Sequence, residues 1–503
     1  MDLTRKMDLT RKMENESMEK KEYDAVVVGS GPNGLAAAIT LQREGRSVLL
    51  IESKARIGGG LRSAELTLPG FTHDICSAIH PMAVASPFLQ TLPLAGYGLQ
   101  YIYPPLSVAH PFDNGHAAIL DRSLEGTAAR LGMDGRTWLD IFRPLVEQWP
   151  GLAPDLLGPL RFPAHPAELA AFGWKALSSA ARFSRRFATV EAKGLWAGMA
   201  AHSILPLSHL SSSAIGLVLS TVGHVYGWPL VRGGSIQLAD ALAACFRALG
   251  GTIETNFHVS SLSQLPSASA ILFDVTPRQL LTIAGHRFSS LYRWQLERYR
   301  YGMGVFKVDW ALDAPIPFTN PDCRRAGTIH LGGTLEEIIY GEDQTWNGRV
   351  AGKPFVLLAQ QSLFDSSRAP EGKHTAWAYC HVPNGSTHDH TAIIEKQVER
   401  YAPGFRERIL GRHVMGPAQM EDYNPNYIGG DINGGIIDLR QLFTRPALRA
   451  SPYRTSAKGL YLCSSSTPPG GGVHGMCGYH SAQTVLKDVF GKFDRNPTTL
   501  RAK

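Results

Sequence analysis

The sequence predicts an α/β protein in which a parallel sheet is assembled from separated stretches of chain, with an α+β domain inserted between them. Three observations predict it. A strand, glycine-rich turn, helix and second strand stand near the start, at 23–52. A helix, a Gly-Gly turn and a strand follow far downstream, at 235–259, and a strand, glycine-rich turn and helix close the sequence at 460–490. The length of 503 residues exceeds one ordinary domain, and 44% hydrophobic content can fill sizeable cores. Charged residues make up only 18%, below the roughly 25% of an average domain, so much of the chain is expected to be buried.

The first unit is the most informative. Ala25–Val28 is a short apolar run, as a buried parallel strand should be. Gly29, Gly31 and Gly34 then give G-x-G-x-x-G, followed by a helix-forming run to about Glu44 and a second apolar run, Ser47–Ile51, ending at Glu52. Gly29 permits a tight turn, Gly31 lets backbone approach a pyrophosphate, and Gly34 lets the helix pack on the strand. The helix N-terminus faces the phosphates, and a carboxylate at Glu52 can accept from a ribose hydroxyl. This is a Rossmann-like dinucleotide site, and the chain carries one such fingerprint. Directly after it, Arg56-x-Gly58-Gly59 with Gly60, Arg62 and Ser63 would let backbone lie against a diphosphate, with either arginine offsetting its charge. A surface ion pair is an equal reading for each arginine.

Downstream, a helix over Ser235–Leu249 ends at Gly250-Gly251 and leads into a strand, and Ile271–Phe273 reads as the strand returning to the nucleotide sheet. At the far end a strand (Leu460–Cys463), a glycine-rich turn and a helix (Gly475–Phe490) bring a second helix N-terminus to the site. The domain boundaries that follow are a disordered tail at 1–22, nucleotide-domain pieces at 23–140, 227–290 and 441–495, a helical cap at 141–226 and a sheet-rich substrate domain at 291–440.

These motifs together resemble the phytoene-desaturase-like FAD-dependent oxidoreductases of the amine-oxidase superfamily, and within them the pyridine nucleotide-disulfide oxidoreductase domain-containing branch. The stretches that carry the resemblance are the fingerprint, RIGGG, GFTHD, GWPLVRGGSIQLADALAACFRALGGTIETNFHV, SLFDSSRAPEGKHTAWAY, GGDINGGIIDL and TPPGGGVHGM. Ser464, Pro468 and Cys76 depart from the usual pattern. The resemblance implies FAD as cofactor. It adds Pro32, Asn33, Ser53 and Leu61 to the glycines, Glu52 and the arginines as its contacts. It also implies Val259 at the adenine, and Ser465, Gly471, Gly472 and Val473 at the flavin end.

Three stretches carry no Asp, Glu, Lys or Arg: 75–112, 194–231 and 459–486. Pro, Gly, Ser and His interrupt each, so they read as protein interior rather than membrane spans. The second also suits the lining of an apolar channel. Phe172, Ala176, Ala180, Phe183 and Phe187 recur at helical spacing beside Lys175, Arg182, Arg185 and Arg186, a basic amphipathic helix. A helix packed on the protein is the favoured reading, and peripheral membrane contact is the alternative. Of His80, His202, His224, His474 and His480, all in or beside uncharged stretches, His474 is the one catalytic candidate.

A mild net charge of +7, never gathered into a stripe, implies no nucleic-acid partner. The six cysteines form no C-x-x-C, and neither G-x-S-x-G nor H-E-x-x-H occurs, so dithiol redox, zinc and hydrolase chemistry drop out and no metal is expected. The tail, with a repeated MDLTRK and mixed charge, matches no signal peptide, and a cytoplasmic location is expected. The function expected is hydride transfer between FAD and a small hydrophobic substrate of polyene or isoprenoid type. A flavin amine oxidase and a non-catalytic FAD-binding regulator are the alternatives.

Overall fold

A computed structural model describes residues 22–491, so the expected disordered tail lies outside the described residues apart from Glu22. Five strands form an all-parallel sheet in the order Leu460–Leu462, Ala268–Phe273, Tyr23–Val28, Val48–Ile51 and Thr252–Glu254. Neighbours in this sheet come from opposite ends of the chain: Val27 lies beside Leu50 on one side and Leu272 on the other, and Phe273 beside Leu462. Both faces are covered. The helices Pro32–Arg43, Ile236–Ala248 and Met476–Phe490 pack with one face of the sheet in a core built on Leu35, Ile39, Leu50, Leu242 and Val485. The Pro277–Ala284 and Ser290–Glu297 helices cover the other. Burial on both sides is what a parallel sheet requires, and it explains why these strands read as continuous apolar runs.

The second layer is a seven-stranded mixed sheet, in the order Ile409–Met415, Gly304–Leu312, His374–Val382, Val356–Ala359, Ala326–Leu331, Leu106–Pro111 and Ala117–Leu120. The last two correct a boundary. Residues 106–120 fall within the expected first nucleotide piece, yet Leu106–Pro111 pairs with Ala326–Leu331, and Ala117–Leu120 pairs with Leu106–Pro111 at the edge of this other sheet. The pairing joins segments more than two hundred positions apart, which no local pattern in the sequence reports.

Four helices, Gly135–Leu156, Pro166–Ala176, Val190–Ala201 and Ser212–Tyr226, form the cap beside this sheet. The basic amphipathic helix does not run through as one piece. It stops at Ala176, and Ser179 then accepts the N–H of Arg182 to start a new turn at Ala180–Phe183. Phe172, Ala176, Ala180, Phe183 and Phe187 are nonetheless all buried. Serine competes well as an N-cap, which is why periodicity alone misses this break. Among the described residues no helix is long and apolar enough to cross a membrane.

A buried ionic hub ties the layers together. Asp74, the acid of GFTHD, accepts from the Ser63 hydroxyl at 2.7 Å, from the Ser235 N–H at 2.7 Å and from Arg368 at 3.1 Å. Arg368 also pairs with Asp365 at 3.0 Å. Four motifs far apart in sequence are thus bonded to one another, and the charges are paired where an unpaired one would be costly.

Candidate active site

The glycine loop is shaped by approaches too close for any side chain. A Cβ on Gly34 would stand 1.9 Å from the carbonyl oxygen of Gly29, and one on Gly59 would stand 2.9 Å from the Cα of Gly31. The turn that follows the first strand is thereby pressed against both the helix start and the R-x-G-G loop. Gly29, Gly31, Pro32 and Asn33 line a cavity of about 830 Å3, within the usual range for ligand sites. Gly34 lies just behind it. Its N–H donates to Asp274 at 2.9 Å.

Glu52 ends the second strand, buried but edging the cavity. Its carboxylate accepts from the Ser30 hydroxyl at 2.5 Å, the Lys54 N–H at 2.9 Å and the Ser53 hydroxyl at 3.2 Å, and pairs with Arg62 at 3.0 Å. The two arginines of the second motif therefore part company. Arg62 is buried, lies against the Tyr423 ring and lines the cavity, whereas Arg56 is exposed and meets Asp240 at 3.4 Å, the surface ion pair. Ser53, Gly59, Gly60 and Val259 also line the cavity. Gly58 and Leu61 do not. Gly58 takes φ +112° where a Cβ would press Ala239, and Leu61 is core, so both shape the loop from behind.

The C-terminal turn closes the opposite wall. Ser465, Gly471, Gly472, Val473 and His474 line the cavity, and the Asn33 side-chain amide donates to the Ser465 hydroxyl at 3.4 Å. Gly472 takes φ +123°, and a Cβ on Gly471 would meet Asn433 Oδ1 at 2.9 Å. His474 sits inside this turn with Nδ1 accepting the Met476 N–H at 3.0 Å, while its own carbonyl accepts from Ser86. Burial pushes its pKa down to about 4, with the Gly470 and Gly471 backbone beside it. A ring this firmly bonded organises the start of the last helix, and the structure offers it no acid or base partner among the described residues.

Residues that sequence reasoning did not single out complete the wall. Tyr423 donates to the Gly59 carbonyl at 2.5 Å, and the Tyr427 hydroxyl lies against Gly60 and the Cys76 thiol. Arg445, almost wholly buried, donates to the Ser465 carbonyl at 2.6 Å, and its Nη1 has no partner. Asp274 ends the Ala268–Phe273 strand with its carboxylate in the glycine loop, where a Cβ on Gly31 would stand 2.7 Å from it. Burial, with Glu52 nearby, pushes its pKa up to about 7. The one available signal was an acid directly after an apolar strand of the nucleotide sheet, a position that faces the glycine loop by topology.

From this polar end the cavity continues into the cap. Leu156, Leu169, Phe172, Ile215, Val218 and Trp228 line that arm, and Leu357, Trp377 and Tyr379 of the seven-stranded sheet lie along its side. His202 also lines it, sharing a hydrogen bond with the buried His330 at 2.9 Å. The uncharged stretch 194–231 supplies much of this lining. Among the described residues the carboxylates on the cavity wall are Glu52, Asp155 and Asp274, and Asp155 pairs with Arg161. The described residues contain no cluster suited to a metal, and all six cysteines are free thiols.

Comparison with known proteins agrees with this geometry. Residues 27–92 match the NAD(P)-binding Rossmann-like domain family. The chain is 25% identical to the rat pyridine nucleotide-disulfide oxidoreductase domain-containing protein 2, over 93% of this chain and 94% of that one. It is 24% identical to a lycopene-forming phytoene desaturase of Pantoea ananas, over 92% and 98%. A solved putrescine oxidase variant has the same fold at 17% identity, with a TM-score of 0.61 over 93% of this chain and 99% of that one.

Proposed function

We propose that this oxidoreductase holds FAD along the polar end of the cavity and acts on a small hydrophobic substrate, of polyene or isoprenoid type, in the apolar arm. The observation that carries the reading is continuity. One cavity runs from the glycine loop, past Tyr427 and the C-terminal turn, into a wall of Leu, Ile, Val, Phe and Trp side chains. The fit to a dinucleotide rests on the loop, whose close approaches leave space only for backbone beside a ligand. It rests also on Asn33 Oδ1 and Arg445 Nη1, buried polar atoms on the wall that await a partner. Glu52 and Val259 stand at the ribose and adenine end, Arg62 offsets charge, and Ser465, Gly471, Gly472 and Val473 form the far wall.

A bound flavin supplies hydride acceptance or donation. The chain's own contribution is to exclude water and aim the substrate. Leu169, Phe172 and Ile215 offer contact without hydrogen bonds, and among the described residues no unpaired carboxylate stands in the apolar arm to abstract a proton. His202 and His330, kept neutral by burial, are the polar pair there.

An amine oxidase is a second reading, favoured by one observation. Trp377 and Tyr379 line the cavity as an aromatic pair with ring centroids 5.5 Å apart. Against it, among the described residues the apolar arm offers a cationic amine no free carboxylate, since Asp155 is paired with Arg161. The test is to saturate the purified chain with FAD, remove oxygen, and follow flavin absorbance on adding a C40 polyene, putrescine or NADPH. Bleaching by the polyene supports the proposal, and bleaching by putrescine alone supports the second reading. Failure to retain any flavin refutes both.

A further inference from the structure

We propose that His202, Ser203 and Thr328 form a polar seat in the apolar arm that binds a carbonyl oxygen of the substrate. The molecule taken is then an oxygen-bearing isoprenoid and not a plain hydrocarbon. This rests on the reading of the arm as the substrate site and narrows what enters it. All three residues line the cavity. Ser203 and Thr328 are almost wholly buried, and neither hydroxyl has a hydrogen-bond partner among the described residues. A buried hydroxyl left unpaired costs free energy, so two of them on one cavity wall point to a ligand that completes them.

The fold brings the three together. His202 and Ser203 follow directly on the Val190–Ala201 helix of the cap, and Thr328 stands on the Ala326–Leu331 strand. Residues two apart on a strand share a face and lie about 7 Å from each other. Thr328 is therefore on the side of the sheet from which His330 reaches His202 at 2.9 Å. In register, Thr328 stands opposite Ala359, and Ala359 opposite Trp377, whose ring also lines the cavity.

Packing decides where the protons sit. The cap helix comes so close that a Cβ on Gly198 would stand 2.6 Å from His330 Nδ1, and that nitrogen has no partner among the described residues. A buried N–H without an acceptor is the costlier orphan, so His330 carries its proton on Nε2 and donates it to His202 Nε2. Both rings are neutral, since burial holds His202 at about 3 and His330 well below 6.5. His202 then has its own proton on Nδ1, where no group among the described residues accepts it. Its ring is half-buried, meets Trp228 edge-on at 5.5 Å between centroids and lines the cavity, so this donor is offered to whatever fills the arm. His330 is a positioning residue, setting the tautomer of His202. A carbonyl oxygen suits the seat in sign and number: it donates nothing and accepts two hydrogen bonds, one from His202 and one from a hydroxyl. A neutral seat offers nothing to balance a carboxylate.

The test titrates the FAD-loaded full chain with geranylacetone, an isoprenoid ketone, and with the hydrocarbon in which a methylene replaces its oxygen. Tryptophan fluorescence reads binding, and absorbance reads flavin content in the same samples. In Ser203→Ala/Thr328→Val the ketone should lose about tenfold in affinity relative to the hydrocarbon. The urea midpoint should not fall, because the deleted hydroxyls bond nothing in the fold. His202→Phe should shift the ratio likewise, and His202→Gln, which restores a donor, should recover part of it. Ratios unchanged in both Ser203→Ala/Thr328→Val and His202→Phe overturn the proposal. A second measurement needs no variant: the carbonyl stretch of the ketone bound to wild type should lie below its frequency in hexane, and a hexane-like frequency overturns the proposal. Binding of neither probe by a flavin-loaded chain also overturns it. A ketone discrimination kept by a chain that holds no flavin would support the seat and refute the FAD reading alone.

Discussion

Asp274 makes the proposed cofactor site sensitive to pH, in a direction the structure fixes. Its carboxylate accepts the Gly34 N–H at 2.9 Å, inside the loop where a pyrophosphate would approach, and it has no cationic partner among the described residues. The titratable groups around it are Glu52, which Arg62 neutralises, and the thiols of Cys463 and Cys477, both held protonated by burial. With Asp274 raised to about 7, nearly all of it is neutral at pH 6 and roughly one part in eleven at pH 8. If the dianionic ligand binds only the neutral form, apparent affinity falls by that fraction, about tenfold between pH 6 and pH 8. Asp274→Asn keeps an acceptor for Gly34 and removes the charge, so its affinity should be flat across that range and equal to wild type at pH 6. Flavin fluorescence quenching, titrated on apoprotein, measures this without turnover. The sign for stability runs the same way. A carboxyl whose folded pKa lies above its unfolded value of 3.8 costs stability as pH rises from there to about 7, and the whole cost remains above it. The variant should therefore gain up to about 4 kcal/mol at pH 8, less whatever the cavity's own solvent returns, and nothing at pH 4. An affinity slope in Asp274→Asn as steep as in wild type would refute the reasoning.

Two further outcomes follow from packing and burial. In Gly478→Ala the new Cβ would stand 1.8 Å from the Asn33 carbonyl oxygen, forcing apart the first and last helices of the nucleotide layer. The expected loss is at least about 2–3 kcal/mol by urea unfolding, with weakened flavin retention, and wild-type stability would disprove the crossing. His80, His110, His202, His474 and His480 are pushed down to between about 3 and 4 by burial, against 6.5 when unfolded. The unfolded chain therefore takes up protons first, and stability present at pH 7 is lost as pH falls from 6.5 towards 4. The urea midpoint should be several tenths molar lower at pH 5 than at pH 7, and equal midpoints would contradict the burial.

What the sequence made legible was local. Gly29, Gly31, Gly34 and Glu52 lie within one strand–helix–strand unit, so their spacing alone reports the turn, the helix start and the acid at the next strand's end. The C-terminal turn was legible for the same reason. Tyr427 and Arg445 were not, because neither has a local pattern of its own, and Asp274 offered only its place after an apolar strand, its bond to Gly34 lying 240 positions away. The place of Leu106–Pro111 beside Ala326–Leu331 was hidden in the same way, because it is a long-range choice. The two arginines separated only in three dimensions, since Arg56 finds Asp240 on a helix of another segment. Ser179 shows the opposite case, a local capping choice overriding a longer apolar rhythm.

The pairing of the first and last helices has a consequence in time. Pro32–Arg43 leaves the ribosome early with Leu35, Ile39 and Leu41 on faces that the finished protein buries, partly under Met476–Phe490. The strand Leu460–Leu462, which completes the parallel sheet, is also made near the end. For most of synthesis the nucleotide layer is therefore an unfinished half-sandwich, holding sticky helices against solvent while some four hundred residues of other layers emerge between its parts. Such a nascent chain needs a holder, and a ribosome stalled before residue 460 should leave it bound to a chaperone rather than to its cofactor.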